Sequence, residues 1–143
     1  MLFGKRERII RRILIVEDEP LVAFDNEYLL SEEGYEVVAT VDSVADALGV
    51  IDKEPLDLVL SDIKLSGAGD GIDVARAAGT KDIPVLFVSG YCPIEAQKLA
   101  VGCLAKPYSD KMLKAALEAI DRQRQGRKLK KVPEGLSLYA QVE

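Results

Sequence analysis

Three acids, a hydroxyl and a lysine each follow a short apolar run in this chain. Glu17 and Asp18 come after Arg-Ile-Leu-Ile-Val, Asp62 after Leu-Val-Leu-Ser, Ser89 after Pro-Val-Leu-Phe-Val, and Lys106 after Gly-Cys-Leu-Ala. Asp62 is the pivot. An apolar run this short, bounded by acids, reads as a strand buried on both faces. Such a strand has no packing reason to end in a carboxylate, yet this one runs through Asp62 into the glycine-rich loop Ser66-Gly67-Ala68-Gly69-Asp70-Gly71. In open α/β sheets, chemistry gathers outside the carboxyl ends of the strands. If the strand order is 2-1-3-4-5, strands one, three, four and five lie side by side and all five groups meet at one edge.

Together these groups suit phosphoryl chemistry. Three carboxylates in one place repel, and a divalent cation relieves the repulsion. Glu17, Asp18 and Asp62 are therefore candidate metal ligands, with the backbone carbonyl of Lys64 able to complete the set. Asp62 can act as a nucleophile toward phosphorus. Ser89 offers a hydroxyl to one phosphoryl oxygen and Lys106 a positive charge to another. Phosphoryl transfer depends mostly on positioning and charge neutralisation, and these groups supply both. Singly, each has an ordinary explanation: acids at a helix start, a loop cap, a turn, a strand exit. Four strand ends carrying this chemistry in this order are harder to set aside.

The elements that must position them can be read in order. Arg12 to Val16 is a buried strand, and Pro20 suits the first turn of the helix after it. That helix runs through Leu21, Phe24, Tyr28 and Leu29 to Glu33, where Gly34 stops it. Tyr35 to Val41 is a second strand. Ser43 caps a helix with Val44, Ala47, Leu48 and Ile51 as its apolar stripe. Pro55 leads into the strand ending at Asp62. A short helix over 72–78, the strand ending at Ser89, a helix of at most two turns over 94–99 and a short strand over 102–105 follow. Ser109 or Asp110 caps a last helix with Met112, Leu113, Ala116, Leu117 and Ile120 on one face. Five alternations of strand and helix predict an α/β fold: a five-stranded parallel sheet with helices on both faces. Residues 1–11 read as a lead-in, 12–125 as the domain, and 126–143 as a tail. The tail is read as a solvated end, or as an apolar segment, Leu136-Ser137-Leu138-Tyr139, docking on its own domain or on a partner.

Composition narrows the chemistry further. The 143 residues suffice for one domain, and a net charge of −5 disfavours nucleic acid as a direct partner. There is no histidine, which removes Ser-His and Cys-His catalysis, phosphohistidine and imidazole ligation. The two cysteines, Cys92 and Cys103, are the only soft ligands, so a metal should be a hard, oxygen-bound ion such as Mg²⁺. The two thiols could pair, but free thiols in a reducing compartment are the expectation. No apolar run approaches a membrane span and the start lacks a signal-peptide core, so a cytoplasmic location is expected.

The chain resembles the response-regulator receiver domains of two-component signalling. The motifs that carry the resemblance are Ile-Leu-Ile-Val-Glu17-Asp18-Glu19-Pro, Leu-Val-Leu-Ser-Asp62-Ile-Lys-Leu, the hydroxyl of Ser89, and Ala-Lys106-Pro107-Tyr108. They span residues 12 to about 125. The resemblance implies a flavodoxin-like (CheY-like) fold, Mg²⁺ as cofactor, a cis Lys106–Pro107 bond, and transfer of a phosphoryl group to Asp62 from a histidine kinase. The absence of histidine agrees, because the donor must then be another protein.

Two departures from the family pattern stand out. Cys103 occupies the place where receivers usually carry a Tyr or Phe as a packing switch. The segment from Ser89 to Lys106 is shorter than usual by about 4 residues, roughly one helical turn, which implies a short or mobile fourth helix. Pro84-Val85-Leu86-Phe87-Val88-Ser89-Gly90-Tyr91 resembles the single-domain FATGUY subgroup, which implies Tyr91, moving with Gly90, as the substitute switch. It also implies a sensor kinase of HWE or related type. The stretch after Gln125 is too short for a DNA-binding module. The expectation is a stand-alone receiver, a monomer or weak dimer. It would be fed by a sensor histidine kinase or a histidine phosphotransfer protein, and serve as a phosphorelay member or phosphate sink. Two alternatives remain. An aspartyl-phosphate hydrolase would want an acid two residues after the nucleophile, where this chain has Lys64. The other is a binding module that works without phosphorylation.

Overall fold

The computed structural model describes residues 8–139. Residues 1–7 of the expected lead-in and 140–143 of the tail lie outside the described residues. The elements are β1 (Arg12–Val16), α1 (Pro20–Glu32), β2 (Glu36–Val41), α2 (Val44–Lys53), β3 (Leu58–Asp62), α3 (Gly71–Gly79), β4 (Val85–Ser89), α4 (Ile94–Leu99), β5 (Gly102–Ala105), α5 (Asp110–Arg124) and β6 (Leu136–Leu138). The sheet order is β2-β1-β3-β4-β5-β6. The first five strands pair in parallel, and β6 adds antiparallel to β5. The flavodoxin-like order 2-1-3-4-5 is therefore present, and the expectation of five strands is corrected by one short edge strand. The apolar segment of the tail docks on its own domain.

The period of two along each strand divides the core between the faces of the sheet. Ile13, Ile15, Leu58, Leu60, Leu86 and Val88 pack with Leu30 of α1 and with Leu113, Leu117 and Ile120 of α5. Leu14, Val16, Val59, Val85 and Phe87 pack with Ala47 and Ile51 of α2, Val74 and Ala78 of α3, and Ala96 of α4. β1, β3 and β4 are thus buried on both sides, which is why these runs read as continuously apolar.

Helix ends follow from the chain's own polar residues. Ser43 Oγ accepts from Asp46 N at 3.2 Å, and Ser109 Oγ accepts from Met112 N at 3.2 Å. Asp70 and Asp73 form a reciprocal capping box at the start of α3. Gly34 ends α1 at φ +92°. On α1 the apolar residues mostly do not face the core: Leu21, Phe24 and Tyr28 are exposed, whereas Leu30 and the polar Asn26 are buried. Among the described residues, no helix is long and apolar enough to cross a membrane.

Cys92 and Cys103 are joined by a disulfide, with Cα atoms 6.7 Å apart. The expectation of two free thiols is corrected. The two stand 11 positions apart in sequence, but β4 and β5 are paired with Phe87 opposite Cys103. The loop leaving β4 can therefore fold back over β5.

Candidate functional site

Parallel pairing of β1, β3, β4 and β5 brings Glu17, Asp18, Asp62, Ser89 and Lys106 to one edge. Val16 pairs with Ser61 and Ser89 with Ala105, so the residues after β1 and β5 emerge beside the ends of β3 and β4. One carboxylate oxygen from each of Glu17, Asp18 and Asp62 lies within 4.8 Å of the others.

Asp62 is held from two sides. Its Oδ1 accepts from Ile63 N at 2.7 Å and from Lys64 N at 3.3 Å. Its Oδ2 accepts from Lys106 Nζ at 2.7 Å. Lys106 leaves β5 and reaches past β4 to make this contact. Its ammonium also lies 3.8 Å from Glu17 Oε1. Burial would lower the lysine pKa, but the Asp62 hydrogen bond and the charges of Glu17 and Asp62 outweigh it and raise it. Gly71 makes the close approach possible behind the aspartate. A Cβ there would stand 2.2 Å from the Asp62 carbonyl oxygen, so any larger residue would push the loop off the end of β3.

The two acids after β1 differ in setting. Asp18 Oδ2 accepts from both the backbone N–H and the hydroxyl of Ser66, at 2.9 and 2.7 Å. The glycine-rich loop therefore positions Asp18. Glu17 Oε2 accepts from Glu19 N at 3.0 Å, but Glu17 Oε1 is buried with no hydrogen-bond partner among the described residues. Burial is the largest effect on this carboxyl and pushes its pKa up. A buried carboxylate oxygen with an open lone pair, facing two further carboxylates, is the donor set a hard divalent cation takes. Mg²⁺ therefore fits the residues present.

Ser89 stands at the end of β4, but its hydroxyl is turned to its own loop. It donates to the Tyr91 carbonyl at 2.9 Å and accepts from Tyr91 N at 3.2 Å. Gly90 has open space where a Cβ would be. Tyr91 is 76% exposed. Cys103 is buried on β5 and bonded to Cys92. The Lys106–Pro107 bond is cis.

Two residues of the site were not singled out from the sequence. Ser66 was one residue of a loop. Asn26, buried on α1, donates from Nδ2 to Tyr108 Oη at 2.9 Å and ties α1 to the turn that carries Lys106. Beside this tie lies a cleft of about 500 Å³, lined by Glu19, Val22, Asn26, Lys106, Pro107 and Tyr108 among others. An asparagine spaced like the apolar residues around it was the only sign available.

Comparison with known proteins bears on the family and the fold. The family model described as response regulator receiver domain matches residues 13–118. The transcriptional regulatory protein PdtaR of Mycobacterium tuberculosis is 34% identical over 122 residues, covering 80% of this chain and 59% of PdtaR. The phyllosphere-induced regulator PhyR of Methylorubrum extorquens is 35% identical over 82 residues, covering 55% of this chain and 30% of PhyR. The chain thus spans less than two thirds of the length of either relative. Among solved structures, the signal receiver domain of a modulated diguanylate cyclase from Desulfovibrio desulfuricans superposes with TM-score 0.73 at 28% identity, covering 81% of this chain and 97% of that one. A CheY-like receiver domain protein from Methanospirillum hungatei gives TM-score 0.71 at 27% identity, covering 82% and 98%.

Proposed function

The chain belongs to the response regulator receiver domain family, and from that premise we propose that Asp62 accepts a phosphoryl group from a phosphohistidine on a partner protein. The observation that carries the reading is Lys106 Nζ, which reaches across β4 to 2.7 Å from Asp62 Oδ2. An ammonium placed there neutralises charge on the acceptor and then on the phosphoryl oxygens. One Asp62 oxygen attacks phosphorus, the P–N bond to the imidazole breaks, and an acyl phosphate remains on Asp62. Backbone N–H groups of Ile63 and Lys64 fix the carboxylate's orientation, so little reorganisation is needed at the moment of transfer. The phosphoryl group then needs donors. Lys106 supplies one, and the Ser89 hydroxyl supplies another once it leaves the Tyr91 backbone.

Glu17, Asp18 and Asp62 would hold Mg²⁺, with the Lys64 carbonyl as a further oxygen ligand. When bound, the ion supplies charge neutralisation for the carboxylates and the phosphoryl oxygens together. The exposed Lys64 stands where an aspartyl-phosphate hydrolase would want an acid, which favours a lasting acyl phosphate over rapid turnover.

Residues 12–125 form the receiver unit in this reading. The receiver is cytoplasmic in this reading, and the donor is a sensor histidine kinase of HWE or related type, or a histidine phosphotransfer protein. Output passes through protein contacts, as a phosphorelay member or phosphate sink. The test is incubation with acetyl phosphate and Mg²⁺ followed by intact mass measurement. Wild type should gain one phosphoryl group and Asp62→Asn none. Full labelling of Asp62→Asn would overturn the assignment.

A further inference from the structure

Cys92 follows Tyr91 in the loop that holds the Ser89 hydroxyl, and Cys103 sits on β5, where the buried sheet gives it a fixed position. The segment between them is loosely anchored. Its helix, α4, has six residues, of which only Ala96 is buried. Its far end is fixed, since Ala100 and Val101 are buried and Val101 N donates to Val85 O at 2.9 Å, but nearer Cys92 the side chain of Glu95 makes only an exposed ion pair with Arg76 of α3, and exposed pairs contribute little. A covalent bond from Cys92 to β5 therefore adds a tie at the end of the segment that directly follows Ser89. Cys92 is half-buried and Cys103 is buried, so a small thiol reagent meets Cys92 first.

We propose that Cys92 and Cys103 form a redox modification site, a reversible dithiol–disulfide pair that fastens the loop after Ser89 to β5. The oxidant is a low-molecular-weight disulfide of the glutathione class. The Cys92 thiolate attacks one sulfur of the oxidised reagent and expels one thiolate. This leaves a mixed disulfide on Cys92. The Cys103 thiolate then attacks the Cys92 sulfur, closes the intramolecular bond and expels the second thiolate. Two protein thiols lose two protons and two electrons, and one small disulfide becomes two thiols. Reduction runs the same steps backward. In a reducing compartment a disulfide of this kind acts as a sensor rather than as a permanent brace.

The bond's consequence rests on the phosphoacceptor reading above. While it is closed, the Ser89–Tyr91 turn is held in the arrangement where Tyr91's own backbone occupies the Ser89 hydroxyl. Opening the bond frees the loop to carry that hydroxyl toward a phosphoryl group on Asp62. Oxidation thus sets how far phosphorylation can reorganise the segment from Ser89 to β5.

The experiment equilibrates the full chain in glutathione buffers of graded redox ratio. Intact mass under acid quench reads the cysteine state, and amide hydrogen exchange reads residues 89–103. Wild type should lose two hydrogens in oxidised buffer and regain them in reduced buffer. Exchange across 89–103 should slow several-fold on oxidation with no phosphoryl mimic present. Cys92→Ser should show the same exchange in both buffers. Failure to form the bond in excess oxidised glutathione, failure to reopen it in excess reduced glutathione, or equal exchange in the two states would each overturn the proposal. A second arm adds beryllofluoride and Mg²⁺. The mimic should slow exchange in the reduced protein and change little in the oxidised one; an equal response in both states would overturn the coupling. If acetyl phosphate with Mg²⁺ adds no phosphoryl mass to the reduced protein while the first arm succeeds, the phosphoacceptor reading fails and the redox site stands without its coupling to Asp62.

Discussion

Glu17 Oε1 is the residue-scale feature with the sharpest consequence. It is buried, carries no hydrogen bond among the described residues, and has the Lys106 ammonium only at 3.8 Å. Leaving such a group unpaired costs on the order of 1–3 kcal/mol. Glu17→Gln should therefore raise the stability of the metal-free protein, by about 1 kcal/mol in urea unfolding. It should also blunt the stabilisation by Mg²⁺, which for a site binding only the folded form is about 2.7 kcal/mol at 100 times its dissociation constant. Unchanged midpoints with and without Mg²⁺ in both proteins would count against a cation at these carboxylates. Tyr35 gives a second prediction. Burial pushes its phenol up to about 12, although the Arg8 guanidinium lies over its ring at 4.1 Å. The fold favours the protonated phenol, so its contribution is complete below pH 10 and is lost as pH rises from 10 through 12. That is about 2 kcal/mol by pH 12, and Tyr35→Phe should show a flatter decline in alkaline denaturation. Asp62 and Lys106 were legible in the sequence because a polar residue ending a buried run has no packing reason to be there. The grip of Ser66 on Asp18 was not, since it depends on loop shape rather than on period.

Among the elements, α4 and the loop before it are where phosphorylation should be felt. The departure from family length predicted a short helix, and α4 is one, with a single buried residue. Elements that bury little open locally at low free energy. Under reducing conditions, beryllofluoride should slow hydrogen exchange across 89–102 as the Ser89 hydroxyl turns to its new acceptor. Tyr91→Ala should shrink that effect without affecting phosphorylation of Asp62. Exchange in Tyr91→Ala indistinguishable from wild type would make Tyr91 a loop residue only. Helix α1 shows where pattern reading misleads. Its apolar Leu21, Phe24 and Tyr28 face solvent, while Asn26 turns inward to Tyr108. Periodicity reports which residues share a face. It does not say whether that face meets the core or is left exposed for contact with another protein.

At the scale of the whole molecule, the order of the five parallel strands was legible because strand and helix alternate and the polar strand ends must meet. β6 was legible only as an apolar segment able to dock on its own domain, because three residues carry no usable period. Its contribution is nonetheless physical. Leu136 is buried against β5 and α5. Tyr139 N donates to Val101 O at 2.9 Å, and Tyr139 packs on the cluster that includes Cys103. The strand comes so close that a Cβ on Gly102 would stand 2.7 Å from Ser137 O. An exposed strand edge offers unpaired N–H and C=O groups to other chains, and β6 covers the edge that β5 would otherwise present. A chain ended at Lys131 should therefore lose stability, by about 1.5–3 kcal/mol for the buried leucine alone. It should also associate through the bared β5 edge. Urea unfolding would read the first effect and sedimentation velocity over a concentration series the second. Gly102→Val should imitate the truncation in part, because its side chain would push β6 away while leaving the residues present. A truncated chain with the wild-type midpoint and no added association would mean that β6 rests on the sheet without stabilising it.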